Sequence, residues 1–256
     1  MRFMKKIIVA NWKMNPQSLK DAKEIFNGIK KVAGKLSKVE TVICPPFIYI
    51  SNLKSQISNL KLGAQNVFYE KKGAFTGEIS PAMLKDFGVK YIIIGHSERR
   101  ALGETDEVIN KKIKSALEEG FKAILCIGEK ERDPNGEYLN FLKAQINEGL
   151  NGVPKKSLAN LLIAYEPVWA ISSNAGARAD NPESAMQTAI FIRRELLPII
   201  GNHAARNIPI LYGGSVNPEN AGGFLERAGM QGLLVGGQSL IPKNFGEILK
   251  IANNIK

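Results

Sequence analysis

Eight short apolar runs recur along the chain at similar intervals. Most of their positions are apolar in succession instead of alternating with polar residues, which is typical of parallel strands covered on both faces. The runs read KIIVAN, VETVICPP, LKLGAQN, KYIIIGHS, FKAILCIGE, NLLIAYEP, IPILYGG and QGLLVGG. Dividing the 256 residues of the chain among them leaves about 32 residues for each unit, enough for one strand and one crossover helix.

Helical patterns with recognisable ends lie between the runs. Apolar residues repeat about every 3.6 positions from Ser18 to Ala33, as on one face of a helix. Thr105 is a capping residue that opens a further helix, and Gly120 closes it. Asn181-Pro182 and Asn217-Pro218 each place a capping residue before a proline at the first helical position. These signals predict helices that begin at Pro182 and Pro218.

The succession of strand and helix extends along the chain without a linker or a low-complexity stretch. We therefore predict one α/β domain over residues 1–256, folded as a closed (β/α)8 barrel. In such barrels the active site lies at the carboxyl ends of the strands. The polar residues that follow each run are therefore the candidates for catalysis.

Four of these candidates carry side chains suited to acid–base chemistry on an anionic substrate. Glu166 follows the sixth run between Tyr165 and Trp169, where partial desolvation makes a carboxylate a stronger base. A carboxylate in an ordinary salt bridge is the competing interpretation for Glu166. His96 follows the fourth run and opens an apparent helix, whose positive end disfavours protonation of the imidazole. A histidine with only a structural role remains the alternative for His96.

Lys13 and Asn11 follow the first run directly. An ammonium at the mouth of the barrel would stabilise an anionic substrate and a developing enolate, and an amide would add a neutral hydrogen bond. A plain surface charge is the alternative for Lys13.

Glycine pairs end the last two runs, at Gly213-Gly214 before Ser215 and at Gly236-Gly237. They could be ordinary tight turns, but barrels commonly bind phosphate through the backbone at this position. No nucleotide-binding motif and no cluster of metal ligands occurs in the sequence, so neither a cofactor nor a metal is expected. Together the strand ends indicate abstraction of a proton next to the carbonyl of a small phosphorylated substrate.

Lys and Arg outnumber Asp and Glu by 35 to 24, a net charge of +11, which raises the question of nucleic-acid binding. The lysines are scattered on the polar sides of helical patterns, so a solvated surface is the favoured interpretation. No apolar run approaches the roughly 20 residues of a membrane span. Cys44 and Cys126 lie inside apolar runs without a nearby partner and are predicted to be buried thiols. We expect a cytoplasmic protein that binds neither nucleic acid nor membranes.

The motifs ANWKMN, GAQN, GAFTGEIS, IIGHSERR, LCIGE, AYEPVWAI, LYGGSV and LVGGQSL occur in this order along the chain. In this order and combination the chain resembles the triosephosphate isomerase family over its whole length. The resemblance implies a TIM barrel that interconverts dihydroxyacetone phosphate and D-glyceraldehyde 3-phosphate without a cofactor, in glycolysis and gluconeogenesis. The pairing of a glutamate base with a neutral histidine electrophile is already well known for this family.

The resemblance also implies individual roles. Glu166 matches the base, His96 the electrophile, Lys13 and Asn11 the substrate contacts, and Glu98 a carboxylate that supports Lys13. The residues that match contacts to the substrate or its phosphate, or that cage the glutamate, are Ser172, Ser215, Gly236, Gly237, Ile171 and Leu234. Pro167–Trp169 resembles the first hinge of a lid that closes over the substrate and excludes water.

The resemblance implies a homodimer formed through the loop at residues 73–80, with Thr76 near its tip. The lid departs from the family, because SSNAGARADN follows Ile171 and is about three residues longer than usual. Ser172 stands where the family usually has glycine, Gln231 where it often has aspartate and Gln238 where it often has alanine. We expect the longer lid to change the rate of lid closure more than it changes the chemical step.

Two other functions compete with this interpretation. A different phosphosugar barrel, such as an aldolase or a metal-dependent epimerase, would require a Schiff-base lysine on a mid-barrel strand or a set of metal ligands. A basic scaffold that binds nucleic acid would not require the combination of Asn11, Lys13, His96 and Glu166.

Overall fold

Eight parallel strands close into a barrel, in which each strand pairs with the next along the chain and the last pairs with the first. The computed structural model describes residues 5–53, 59–171 and 176–255. The predicted (β/α)8 barrel is confirmed, and its extent over residues 1–256 stays a prediction. The strands are β1 (Lys6–Asn11), β2 (Val39–Cys44), β3 (Leu60–Ala64), β4 (Tyr91–Ile94), β5 (Lys122–Ile127), β6 (Leu161–Tyr165), β7 (Ile210–Tyr212) and β8 (Gly232–Val235).

Helices follow the strands and cover the outside of the barrel. They are α1 (Leu19–Ala33), α2 (Phe47–Ile50), α3 (Pro81–Asp86), α4 (Ser97–Ala101), α5 (Asp106–Glu118), α6 (Tyr138–Leu150), α7 (Pro182–Ile200), α8 (Asn202–Asn207), α9 (Ala221–Glu226) and α10 (Pro242–Asn254). Short 3-10 helices occur at Lys155–Asn160, Val168–Ala170 and Gly237–Leu240.

The predicted helix starts are confirmed where a side chain caps the first turn. Ser18, Thr105 and Asn181 each accept a hydrogen bond from a backbone N–H in the first turn of α1, α5 and α7. The prediction that a helix begins at Pro218 was wrong, since α9 begins at Ala221. Asn217 and Asn220 accept each other's backbone N–H, both at 2.9 Å, and this local turn replaces the first helical turn.

The core consists of two layers that the alternation of strand side chains creates. Ile8 and Ala10 of β1 point outward and pack beneath the helices. Val9 points inward, into a cluster formed by alternate residues of seven of the eight strands, all except β3. The members of this inner cluster are Val9, Val42, Cys44, Tyr91, Ile93, Ile124, Cys126, Leu162, Ala164, Leu211 and Leu234.

The same alternation explains which residues reach the mouth of the barrel. Asn11 stands two positions after Val9, and Glu166 stands two positions after Ala164. Both side chains therefore continue the inward-facing rows beyond the packed interior and point into the carboxyl-terminal mouth. None of the helices in the described ranges combines the length and the apolar character that crossing a membrane requires.

Candidate active site

Lys13 lies at the mouth in a backbone conformation that is uncommon for a residue with a side chain. Its φ is 53°, and its backbone N–H donates to Asn11 Oδ1 at 3.0 Å. Its Nζ lies 2.6 Å from Glu98 Oε1, while a Cβ on Gly236 would lie 3.3 Å from its Cε. Asn11 therefore fixes the backbone of Lys13, while Glu98 and Gly236 border the end of its side chain.

Gln65 supports Lys13 and was not among the predicted site residues. Its Nε2 donates to the carbonyl oxygens of Lys13 at 2.8 Å and Cys44 at 2.9 Å. These two bonds tie the strained turn after β1 to the end of β2. Gln65 follows β3 directly, so the rule that selected Lys13 from the strand ends would have found it as well.

His96 precedes α4 as its N-cap, and the residue is 7% exposed. The backbone N–H of Glu98 donates to His96 Nδ1 at 3.2 Å. A nitrogen that accepts a hydrogen bond carries no proton, so the proton of the neutral ring belongs on Nε2. Nε2 is therefore a hydrogen-bond donor, as the sequence predicts for an electrophile.

Glu166 is 2% exposed and lies beside His96. Its Oε1 is 3.2 Å from His96 Nε2, and its Oε2 accepts a hydrogen bond of 2.9 Å from the backbone N–H of Ser97. The glycine at position 128 makes this placement possible, because a Cβ there would lie 1.7 Å from the carbonyl oxygen of Glu166. The fourth and sixth strands thus bring the two predicted catalytic residues together.

Two cavities adjoin at this point. One of about 420 Å³ is lined by the predicted substrate residues Asn11, Lys13, His96 and Ser215, among others. Glu166 lines the other, which has a volume of about 610 Å³. Glu98 lines this second cavity as well, so these two carboxylates border a different cavity from Asn11, Lys13, His96 and Ser215, and Glu166 Oε2 faces Ser97.

The remaining predicted residues of the described chain surround the smaller cavity, which Ile171, Leu234, Gly236 and Gly237 also line. Ser215 donates from its hydroxyl to the carbonyl oxygen of Ala170 at 2.7 Å. A Cβ on Gly237 would meet no atom within 4 Å, so the backbone there is open to a ligand. Ser172 lies outside the described residues.

Comparison with known proteins shows the family of the chain. The family model described as triosephosphate isomerase matches residues 6–252. A triosephosphate isomerase of Dehalococcoides mccartyi is 46% identical over 254 residues, 97% of each chain. Those of Natranaerobius thermophilus and Carboxydothermus hydrogenoformans are 43% and 44% identical, over 96% of this chain and 95% and 98% of theirs. The chain belongs to the triosephosphate isomerase family.

The segment that carries Glu166 is anchored from below by a second carboxylate. Glu129 is 1% exposed, and its Oε1 accepts hydrogen bonds from Tyr165 Oη at 2.8 Å and Trp169 Nε1 at 2.9 Å. Arg132 Nε donates to the same oxygen at 2.9 Å. Glu129 ends the motif LCIGE and was not among the predicted site residues.

Cys126 lies beneath the base as a buried thiol, which confirms the prediction for both cysteines. Burial, and then the nearby Glu166 carboxylate, raise the pKa of Cys126 well above its ordinary value. The thiol therefore stays neutral beside Glu166. Within the described ranges, no three His, Cys, Asp or Glu side chains lie close enough together to hold a metal ion.

Proposed function

We propose that the chain interconverts dihydroxyacetone phosphate and D-glyceraldehyde 3-phosphate by moving one proton between adjacent carbons through an enediolate. The observation that carries the proposal is the 3.2 Å separation of Glu166 Oε1 and His96 Nε2 at the mouth. A base and a neutral hydrogen-bond donor at this distance can act on a C–H and on the adjacent carbonyl oxygen together. The reaction moves a proton within one substrate, so it requires no redox cofactor.

In this mechanism Glu166 removes the proton from the carbon next to the carbonyl. The negative charge then develops on the carbonyl oxygen, where His96 Nε2 donates a hydrogen bond. The hydroxyl proton on the first carbon's oxygen has to pass to the oxygen of the neighbouring carbon, and return of the carbon-bound proton from Glu166 to that carbon then completes the isomerisation. Because the imidazole is neutral at the start, it can stabilise each oxygen of the enediolate in turn.

Glu166 has to change its hydrogen bonding to act on the substrate. Its Oε2 is bonded to the backbone N–H of Ser97, and the carboxylate lines the neighbouring cavity. We propose that closure of the lid at the hinge Pro167–Trp169 moves the carboxylate into the substrate cavity and excludes water. Ile171 and Leu234 then form the apolar cage around the base.

Lys13 and Asn11 supply the electrostatic part of the site. The ammonium group stabilises the phosphorylated substrate and the enediolate, and Asn11 adds a hydrogen bond. Glu98 positions the ammonium through their contact of 2.6 Å. The phosphate binds to the backbone at Gly236 and Gly237 and beside Ser215, with Ser172 of the lid as a further contact.

We further propose a homodimer that forms through the loop at residues 73–80, which carries Phe75 at 43% exposure. Exposed apolar side chains also follow strands β1, β2 and β4. Met14 after β1 is 84% exposed, Ile48 after β2 is 73% exposed and Leu102 after β4 is 83% exposed. A partner's loop would cover this surface. The proposed setting is the cytoplasm, in glycolysis and gluconeogenesis, without binding to nucleic acid or membranes.

An assay of both directions of the reaction tests the proposed function. Nuclease-treated protein, with a chelator present, is expected to interconvert the two triose phosphates, measured by coupling each product to a dehydrogenase. Absence of turnover together with nucleic acid that co-purifies despite the treatment would favour the scaffold alternative. Turnover that the chelator abolishes would favour a metal-dependent barrel.

A further inference from the structure

Arg132 lies in the loop between β5 and α6, outside the set of residues assigned to the substrate. Its guanidinium nevertheless contacts residues on both sides of the base, Glu166. Nη2 donates to Tyr165 Oη at 2.8 Å, and Tyr165 immediately precedes Glu166. Nε donates to Glu129 Oε1 at 2.9 Å, the oxygen that also receives Trp169 Nε1. Arg132 therefore acts on both flanks of Glu166.

Glu129 and Arg132 each make one further contact with the hinge at Pro167–Trp169. The backbone N–H of Val168 donates to the carbonyl oxygen of Glu129 at 2.9 Å. The guanidinium carbon of Arg132 lies 5.0 Å from the centroid of the Trp169 ring, within the range of a cation–π contact. Movement of Trp169 therefore requires changes in the contacts of both Glu129 and Arg132.

Arg132 also bonds to the helix that follows the lid. Its Nη1 donates to Ser184 Oγ at 2.6 Å, and its Nη2 donates to Thr188 Oγ1 at 2.9 Å. Ser184 and Thr188 lie one turn apart on the same face of α7, which begins at Pro182 directly after the lid. One planar guanidinium thus links the first hinge to the helix on the far side of the lid.

The loop of Arg132 is itself ordered around the guanidinium. The Asp133 carboxylate accepts the backbone N–H groups of Glu137 and Tyr138 at 2.9 and 2.8 Å. The Tyr138 ring centroid lies 5.0 Å from the guanidinium carbon, the same distance as that of Trp169. These contacts therefore fix the position of the guanidinium relative to the loop.

We propose that Arg132 is a positioning residue for catalysis, which sets the placement of Glu166 through Tyr165 and Trp169 and couples it to α7. This inference rests on the proposed function, since it assigns Arg132 a role in that reaction. A lysine cannot replace it fully, because an ammonium lacks the planar fork that serves Glu129, Tyr165 and α7 together. The role is indirect, since Arg132 donates to none of the residues assigned to the substrate.

The test compares Arg132→Met and Arg132→Lys with Arg193→Met. The control removes another guanidinium that makes several hydrogen bonds, in a different part of the fold. Arg193 is also multiply bonded, since its Nη1 donates to the carbonyl oxygens of Ala205, Arg206 and Ile208 at 2.9 to 3.0 Å. Its Nη2 donates to Gln231 Oε1 at 2.7 Å. Arg193→Met is therefore expected to lower the melting temperature while leaving kcat of the folded enzyme close to wild type.

Arg132→Met is expected to lower kcat by roughly 10²-fold, the scale of a misplaced reacting group, with a smaller effect on KM. The primary deuterium isotope effect on kcat should rise, because proton removal becomes slower relative to the other steps. Arg132→Lys should recover part of kcat. A purely structural residue would change the melting temperature without changing the isotope effect.

A second readout does not depend on turnover. The chain has two tryptophans, so Trp12→Phe leaves Trp169 as the only fluorophore of its kind. In that background Arg132→Met should shift the Trp169 emission, and Arg193→Met should not. If Arg132→Met fails to fold, Arg132→Lys and Glu129→Gln provide the same comparison.

The possible outcomes distinguish a failure of the positioning role of Arg132 from a failure of the proposed function. An inactive wild-type enzyme would reject the proposed function itself. An active wild type whose Arg132 variants match Arg193→Met in kcat, isotope effect and Trp169 emission would overturn the positioning role alone.

Discussion

The two ends of the barrel use the same kinds of side chain for opposite purposes. At the amino-terminal end, Glu40, Tyr91 and Lys122 form a closed network. Tyr91 Oη donates to Glu40 Oε1, and Lys122 Nζ lies 3.0 Å from that oxygen and 2.7 Å from Tyr91 Oη. At the carboxyl-terminal end, Lys13 and Glu166 have different partners and border two cavities.

The difference lies in how completely the charged groups are satisfied. Glu40 receives hydrogen bonds from a phenol and an ammonium that have each other as further partners. Glu166 has one well-formed backbone hydrogen bond, from the Ser97 N–H to Oε2, while its buried Oε1 lies 3.2 Å from His96 Nε2 without forming a hydrogen bond of good geometry. A buried carboxylate oxygen with spare capacity is costly for stability and suited to chemistry. We therefore assign the amino-terminal end to stability of the barrel and the carboxyl-terminal end to the proposed reaction.

Glu166→Gln compared with Glu40→Gln is expected to separate the two ends most clearly. Loss of the base should lower kcat by roughly 10²–10⁴-fold, because an amide cannot accept the substrate proton. Glu40→Gln should leave kcat near wild type, since Glu40 lies at the opposite end of the barrel. Steady-state assays at fixed folded concentration provide the measurement, and equal losses in both variants would contradict the division of roles.

Lys13→Met compared with Lys122→Met makes the same comparison for the cations. Lys13→Met should reduce kcat/KM by about 10²–10³-fold, the usual effect of removing a charge-stabilising donor. Lys122→Met should instead cost about 1 kcal/mol of unfolding free energy and spare kcat/KM. Denaturant unfolding and kinetics on both variants test this, and a stable but inactive Lys122→Met protein would argue against it.

Stability in acid provides a subtler comparison at the amino-terminal end. Burial raises the pKa of Glu40, but hydrogen bonds from Tyr91 and Lys122 and nearby lysine charges outweigh it and bring the pKa below 4.5. A lowered pKa in the folded state gives stability that is complete above the unfolded pKa and is lost as pH falls through the folded pKa. The unfolding free energies of wild type and Glu40→Gln should therefore converge below pH 4.5. A constant difference at every pH would show that Glu40 contributes through packing alone.

Glu98→Gln is expected to have the weakest effect of these changes. Glu98 is 49% exposed, and exposed ion pairs contribute little to stability. The melting temperature should stay unchanged, and kcat/KM should fall by less than about tenfold, because Lys13 keeps its support from Asn11 and Gly236. A loss as large as that of Lys13→Met would mean that Glu98 contributes more than positioning.

The barrel and much of its mouth could be predicted because they depend on local periodicity. Continuous apolar runs, capped helices and a unit of about 32 residues determine the topology. The alternation of inward and outward side chains then places Asn11 and Glu166 at the carboxyl-terminal mouth, where the active site of such barrels lies. The start of α9 could not be predicted this way, because Asn217 can cap a helix or form a turn, and only the tertiary context decides between them.

The support of the site was largely invisible in the sequence. Nothing local predicts that the Ser97 N–H binds the Glu166 carboxylate, since this bond joins two loops that meet only in the closed barrel. Arg132 appears in a charged loop, EKERDPNG, and reads as a surface residue. Its six hydrogen-bonding and ring partners come from four separate parts of the chain, so only the assembled fold identifies it.

Proton exchange into the substrate is the most direct test of Glu166 as the base. Dihydroxyacetone phosphate is incubated in D₂O with wild type or Glu166→Gln, and ¹H NMR follows the hydroxymethylene protons. Wild type is expected to exchange one of these protons for deuterium, and Glu166→Gln should leave both in place over the same time. Exchange by Glu166→Gln at the wild-type rate would show that another group removes the proton.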